Sequence, residues 1–391
     1  MSLLQIEQKM WEEKDTAKTK NGESKTNIVV KYNSREKRIM TEINREKLPS
    51  FAEALRKPGY MNLRPFYQRR SRWDKQKQSR LIESFIVNIP IPPIILYEQD
   101  YNSYEVIDGQ QRITAIKDFY ENQLKLTGLE SWPELNGLTY KELNPIIQAG
   151  IDRRSISTIT IVTESTADPE EAMLLKQLAF ERINTGGVDL SRQEARHCLY
   201  NGKFDELLLE LSRNPIFAEA WGIPTQNDSF DNELAKNNLY KKMEDAELVL
   251  RFFALRNMEY FRGKIAHFLD LYMIKSMRFE DEDIESLREI FLETLELASQ
   301  LYEKNLFKPF DAKKPIYYKA YYDAMMVSLS RHLSKAELLI SKQSQVIEET
   351  KKLCQDPTYS GLFTGEGKNT KTDIQQRIGL FEEMLIKVIG D

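Results

Sequence analysis

The sequence predicts an α+β domain with a small sheet, followed by an all-helical domain, and three observations carry that reading. The first is a pair of β-branched and aromatic runs, Ile94-Ile95-Leu96-Tyr97 and Tyr104-Glu105-Val106-Ile107, joined by the polar turn Gln99-Asp100-Tyr101-Asn102-Ser103. The second is a strand, glycine turn and helix in succession over residues 104 to 120. Gly109 breaks the strand, and Ile113, Ile116, Phe119 and Tyr120 then recur at helical spacing. The third is that strand signal all but vanishes beyond residue 200. Helical patterns replace it near 203–213, 244–257, 264–275, 281–305, 315–333, 335–354 and 371–389.

In chain order, residues 1–48 read as a polar N-terminal arm, weakly ordered at its start, with one strand-like run at Ile28-Val29-Val30. Residues 49–200 form the sheet-bearing domain. Within it, Leu63 to Trp73 reads as a loop, and Asp74 caps a helix whose apolar positions are Leu81, Ile82, Phe85 and Ile86 and which stops before Pro90. Ser155 to Val162 alternates apolar and hydroxyl residues with period two, as in a strand with one half-solvated face. Asp168-Pro169-Glu170-Glu171 starts a helix running to about Ile183, with a capping Asp, Pro at the first helical position and acids in the first turn. Asn184-Thr185-Gly186-Gly187 turns the chain, and Ser191-Arg192-Gln193-Glu194 supplies a capping box for a further helix. Residues 201–391 form the helical domain.

Composition narrows the function classes. With 41% hydrophobic residues and 10% aromatics the chain can bury proper cores, while 56 Lys plus Arg against 60 Asp plus Glu leave a formal charge of −4. No global field marks a nucleic-acid or membrane binder, so any such surface must be a local patch. No stretch approaches the roughly 18 to 20 apolar residues of a membrane span. A soluble, cytoplasmic protein is expected, with Cys198 and Cys354 as free buried thiols. His197, His267 and His332 are too scattered for a zinc cluster or a histidine-metal nuclease motif. Gly365-Glu366-Gly367-Lys368-Asn369-Thr370 lacks the spacing, the final Ser or Thr and the preceding strand of a phosphate loop.

The chemistry concentrates at Asp108-Gly109-Gln110-Gln111-Arg112. A helix that follows a strand presents unpaired N–H donors and the positive end of its dipole, and glycine there admits a ligand close to the backbone. Phosphate is the natural guest. Arg112 can add a bidentate guanidinium, Gln110 and Gln111 can reach a sugar, base or water, and Asp108 can bind Mg²⁺ through water or accept a proton. The structural alternative is that Asp108 only caps the helix and Arg112 pairs with it.

A basic segment precedes this turn. Arg64, Arg69, Arg70, Arg72, Lys75, Lys77 and Arg80, interleaved with Phe66, Tyr67 and Trp73 and opposed only by Asp74, suit phosphate contacts plus base stacking. Alternatively Trp73 and Phe66 anchor the loop in the core while the charges stay solvated.

Several of these segments together resemble the N-terminal domain of the GmrSD-type modification-dependent restriction endonucleases, a family related to the ParB/sulfiredoxin fold. The matching residues are Tyr67-Gln68-Arg69 with Trp73, Leu81-Ile82-Glu83-Ser84, Ile89-Pro90-Ile91-Pro92-Pro93 and Ile107 through Thr114. Phe180 through Gly187 with Leu190, Ser191 and Glu194, and Glu247 through Phe253, follow in the same order. The resemblance implies a nucleoside-triphosphate-binding, often hydrolysing, domain of prokaryotic defence against phage DNA with modified bases or phosphorothioate linkages. By position, Asp108, Gly109, Gln110, Gln111, Arg112 and Thr114 would hold the nucleotide with Mg²⁺ or Mn²⁺, with Asp108 as the metal residue and Asp108, Gln111 and Arg112 as the catalytic set. Gln68 and Arg69 would line the same cleft and Asn184, Gly186 and Gly187 approach it, while Tyr67, Arg70, Arg72 and Lys75 would meet DNA. Full restriction members carry a second, histidine-metal nuclease domain, and no such pattern is present in this sequence.

Three functions follow as expectations. The first is an NTP-binding and hydrolysing module of a DNA-restriction or antiphage system, working with a nuclease partner protein. The second is a non-catalytic DNA-binding or regulatory protein with a nucleotide-sensing site, and the third is a metal-dependent DNA nickase. Assembly into homo-oligomers stays open.

Overall fold

Strand-forming sequence is concentrated before residue 162, and the sheet follows that distribution. The structure is a computed structural model describing residues 3–12, 41–62, 73–100, 102–162, 191–225, 230–308, 318–364 and 368–390. These fall into two compact units, one within residues 41–162 and one joining residues 3–12 to 191–390. The helix Arg192–Leu199, expected with the sheet domain, thus belongs with the helical unit, and it starts on the foreseen Ser191/Glu194 capping box. The expected strand at Ile28-Val29-Val30 and the helix from Asp168 lie outside the described residues.

Five strands, β1 (Thr41–Lys47), β2 (Met61–Asn62), β3 (Ile94–Asp100), β4 (Ser103–Asp108) and β5 (Ser155–Ile161), make one mixed sheet in the order β1-β5-β3-β4-β2. The foreseen hairpin is β3 with β4, antiparallel, Leu96 facing Val106. β5 runs parallel to β3 on one side and antiparallel to β1 on the other. Its hydroxyls fall on both faces: Thr158 and Thr160 share the buried side with Ile156, while Ser155 and Ser157 lie on the half-exposed side. The alternation marks both the strand and its half-exposed face, on which Ser155, Ser157 and Ile159 are half-buried. β1 lies inside the expected polar arm. Its sequence TEINREK has no apolar alternation and Ile43 is 74% exposed, so main-chain pairing to β5 rather than side-chain burial holds it.

Four helices cover the core side: α1 (Leu48–Ala54), α2 (Lys75–Val87), α3 (Gln110–Tyr120) and α4 (Pro145–Asp152). Phe51, Ile82, Phe85, Ile113, Ile116 and Phe119 from these helices pack with Ile94, Leu96 and Ile156 of the sheet. α2 starts where the sequence predicts, with the Asp74 carboxylate accepting from Lys77 N–H at 2.8 Å, and it ends at Asn88 in the left-handed region before Pro90. α4 begins with Pro145 behind an Asn144 cap. Asp152 at its end accepts from the hydroxyls of Tyr120 and Tyr140, each at 2.8 Å. Burial, then the bond to Asp152, pushes both phenols up, Tyr140 to about 12.

The helical unit buries charge at its centre. Helices Glu244–Arg256 and Lys319–Arg331 are buried on nearly every side, and their buried charges at Arg251, Arg256 and Asp323 are paired internally. Asp323 accepts from Arg251 through both carboxylate oxygens and from Arg377 Nη2 at 2.7 Å. Contrary to the expected weak order at the start of the chain, Gln5–Glu12 is a helix whose Glu7 is fully buried. Glu7 takes Arg256 Nη2 at 2.9 Å and Asn257 Nδ2 at 3.0 Å, while Trp11 donates to Asn257 Oδ1 and stacks on Tyr260. The pattern at 281–305 closes with a 3-10 turn after Tyr302, and that at 335–354 splits into Ala336–Ser341 and Gln343–Gln355. Cys354 is a free, half-buried thiol, pushed up to about 12 by burial. No helix among the described residues is long and apolar enough to cross a membrane.

Asp323→Ala is expected to destabilise the helical unit by about 3–5 kcal/mol, because it strands two buried guanidinium groups. Urea unfolding of the full chain checks this, and an unchanged midpoint would contradict it. In the sheet unit, the raised Tyr140 phenol contributes stability below about pH 10 that is lost as pH climbs toward about 12. Ultraviolet titration of Tyr140→Phe is expected to remove one late-ionising phenol.

Candidate functional site

β4 ends at Asp108 because Gly109 turns the chain with φ of +101°, and α3 starts at the next residue. A Cβ at Gly109 would stand 3.0 Å from Ile94 Cγ1 and 3.2 Å from Arg112 Nη2. Glycine is therefore needed for the sign of φ and for the close passage of the guanidinium. No side chain caps α3, and its first internal bond runs from Ile113 N–H to Gly109 O at 2.9 Å. The helix thus opens directly off the strand with the positive end of its dipole at the turn.

Arg112 does not hold its guanidinium out to solvent, as the sequence reading expected. It is 8% exposed, donates from Nη2 to Asp108 Oδ2 at 2.6 Å and from Nη1 to the Pro92 carbonyl at 2.7 Å. The cause is local geometry: four residues from strand end to first helical turn bring the side chain back over Gly109, where a buried guanidinium must find acceptors. The foreseen structural pair forms, but Asp108 is not the cap, since Gly109 occupies that position. Asp108 keeps 37% of its side chain exposed, with one oxygen oriented by Arg112.

Around this pair, Gln111 Oε1 accepts from the Trp73 N–H at 2.9 Å, and Thr114 turns its hydroxyl onto Gln110 O at 3.0 Å. Trp73 packs half-buried against the core, in keeping with its anchoring role. Lys75 is exposed in the first turn of α2. Tyr67, Gln68, Arg69, Arg70, Arg72, Asn184, Gly186 and Gly187 lie outside the described residues. Pro92 and Trp73 stand among the segments that resemble the family, but their backbone roles at the turn were not foreseen, because a carbonyl or amide carries no residue-type signal. Thr370, from the glycine-rich stretch set aside as a phosphate loop, instead caps helix Lys371–Gly390 by exchanging bonds with Asp373. Among the described residues no group of three His, Cys, Asp or Glu side chains is placed to hold a metal ion.

Residues 51–201 match the family described as GmrSD restriction endonuclease, N-terminal domain. No curated protein and no solved structure matches the chain. The matched segment begins in α1 and takes in β2 to β5 together with the whole Asp108–Arg112 turn. Over residues 51–201 the chain is similar to the GmrSD-type N-terminal family.

Proposed function

We propose that the sheet unit is a nucleoside-triphosphate-binding and hydrolysing module of a prokaryotic DNA-restriction or antiphage system. The observation that carries this reading is a carboxylate, Asp108, held at the mouth of an uncapped helix N-terminus by a buried guanidinium. The family match over residues 51–201 supports the restriction setting. A small mixed sheet with a glycine turn at a strand end is in keeping with a ParB/sulfiredoxin-like fold.

In this reading Arg112 is a positioning residue. It fixes Asp108 Oδ2 and leaves the other carboxylate oxygen toward the ligand. Mg²⁺ or Mn²⁺ fits such a site, because Mg²⁺ takes one or two carboxylates and completes its shell with phosphate oxygens and water. Bound there, the cation would supply neutralisation of the phosphate charge. Gly109 lets the phosphates approach the backbone, the first turn of α3 adds its dipole, and Gln110, Gln111 and Thr114 border the same turn. Gln68, Arg69, Asn184, Gly186 and Gly187 would complete the nucleotide cleft, and Tyr67, Arg70, Arg72 and Lys75 would meet DNA. A second reading, a nucleotide-sensing DNA-binding protein without turnover, is favoured by the Arg112 pair itself, since the turn's own cation is already neutralised. A nuclease partner protein belongs to both readings.

Phosphate release with each of the common nucleoside triphosphates and Mg²⁺ tests the proposal. Asp108→Asn is expected to lower kcat by roughly two orders of magnitude. Arg112→Lys, which keeps the charge but not the two-acceptor geometry, is expected to fall between wild type and Asp108→Asn. Equal rates in all three proteins would discard the hydrolytic reading. A thermal shift with nucleotide but no turnover would select the sensing one.

A further inference from the structure

The same end of the sheet carries a second polar feature that the sequence reading did not reach. β1 ends at Lys47 directly opposite Ser155, the first residue of β5, and Arg45 lies opposite Ser157. Strand periodicity puts Arg45 and Lys47 on one face and Glu46 on the other. Arg153 and Arg154 immediately precede β5, and residues 88–91 after α2 form the facing wall. Together they enclose a cleft of about 800 Å³ lined by Arg45, Lys47, Arg153, Arg154, Ser155 and Ser157. That volume lies within the ordinary range of ligand sites.

The electrostatics of the cleft are one-sided. Among the described residues none of its four cations has a carboxylate partner: Lys47 Nζ donates to Arg153 O at 2.7 Å, and Arg154 donates from Nε to Phe85 O at 3.0 Å. Carbonyl acceptors fix these side chains but leave their charge uncancelled. Arg45 and Arg153 are exposed. The nearest acid in sequence on the β5 side, Asp152, is turned away to the hydroxyls of Tyr120 and Tyr140. Like charges so close repel, and a bound polyanion relieves that repulsion. Among the described residues no exposed aromatic ring lines the cleft, and Phe85 is 3% exposed within the core, so among them stacking on a base has no platform. The described lining offers cations and neutral donors suited to phosphate oxygens.

We propose that this cleft is a binding site for consecutive phosphate groups, separate from the Asp108–Arg112 turn and indifferent to base identity. Four cations across its walls suit a polyphosphate or successive phosphodiesters of a nucleic-acid strand. The serine hydroxyls of Ser155 and Ser157 and the Asn88 amide add neutral donors. Arg154 shapes the wall through its bonds to α2, while Arg45 and Arg153 supply the accessible charge.

Titration calorimetry of the full chain with inorganic tripolyphosphate, without divalent cation, tests this. Wild type is expected to bind, with affinity falling as salt is raised from roughly 50 to 200 mM. The double variant Arg45→Ala/Arg153→Ala is expected to lose roughly tenfold or more in affinity. Its two exposed side chains make no hydrogen bond or ion pair among the described residues, and an unchanged melting temperature verifies the fold. Arg45→Lys, which keeps the charge at that position, is expected to retain most of the binding. Competition by duplex DNA of unrelated sequences with equal effect would assign the site to the nucleic-acid backbone. Competition by nucleoside triphosphates alone would assign it to a free polyphosphate. Absence of wild-type binding at low salt, or equal binding by the double variant, overturns the proposal.

Discussion

The buried guanidinium of Arg112 ties together three segments: the end of β4 through Asp108, the loop before β3 through the Pro92 carbonyl, and the first turn of α3, which carries it. Removing one partner of such a pair leaves an uncompensated buried charge, which costs several kcal/mol. The tie also dictates its neighbours. Glycine suits position 109 because φ is +101° and a Cβ would crowd the guanidinium at 3.2 Å, and Asp108 is held with one oxygen committed. The loop that supplies Pro92 also supplies the wall of the basic cleft at residues 88–91. One ion pair therefore sets the geometry of the turn, and one loop serves both the turn and the cleft.

Arginines serve two purposes in this chain, and burial separates them. Arg112, Arg196, Arg251, Arg256 and Arg377 are buried, and each donates to a carboxylate. They are internal fasteners whose charge is cancelled where it stands. Arg45 and Arg153 are exposed, and no carboxylate partner is found for them among the described residues. A formal charge of only −4 hides this division, because net charge averages over fasteners and surfaces alike. The basic surface without carboxylate partners among the described residues is local, as the near-neutral composition requires, and it involves the edge strand rather than the turn arginine.

Much of the sheet unit was legible from local pattern. The β3/β4 hairpin, the Asp74 cap of α2, the break at Gly109 and the apolar stripe of α3 are signals written within a dozen residues, which local propensity and periodicity can read. The main helices of the second unit were legible for the same reason, apart from the split near Lys342 and the short helices between 215 and 241. β1 was not legible. A polar strand with an exposed Ile43 becomes a strand only because β5 offers it a main-chain partner more than a hundred residues away. The burial of Glu7 was hidden likewise, since its partners Arg256 and Asn257 are distant in sequence.

The sequence by itself determined the β3/β4 hairpin, the main helices, where the glycine turn lies and which residue types gather there, since each depends on neighbours a few positions apart. Only the tertiary structure decided what those residues do. It turned Arg112 inward onto Asp108 and Pro92, and it brought Arg45 and Lys47 beside Arg153 and Arg154. Both outcomes rest on long-range strand pairing and on the cost of burying an unpaired charge, neither of which is encoded in any short window of the chain.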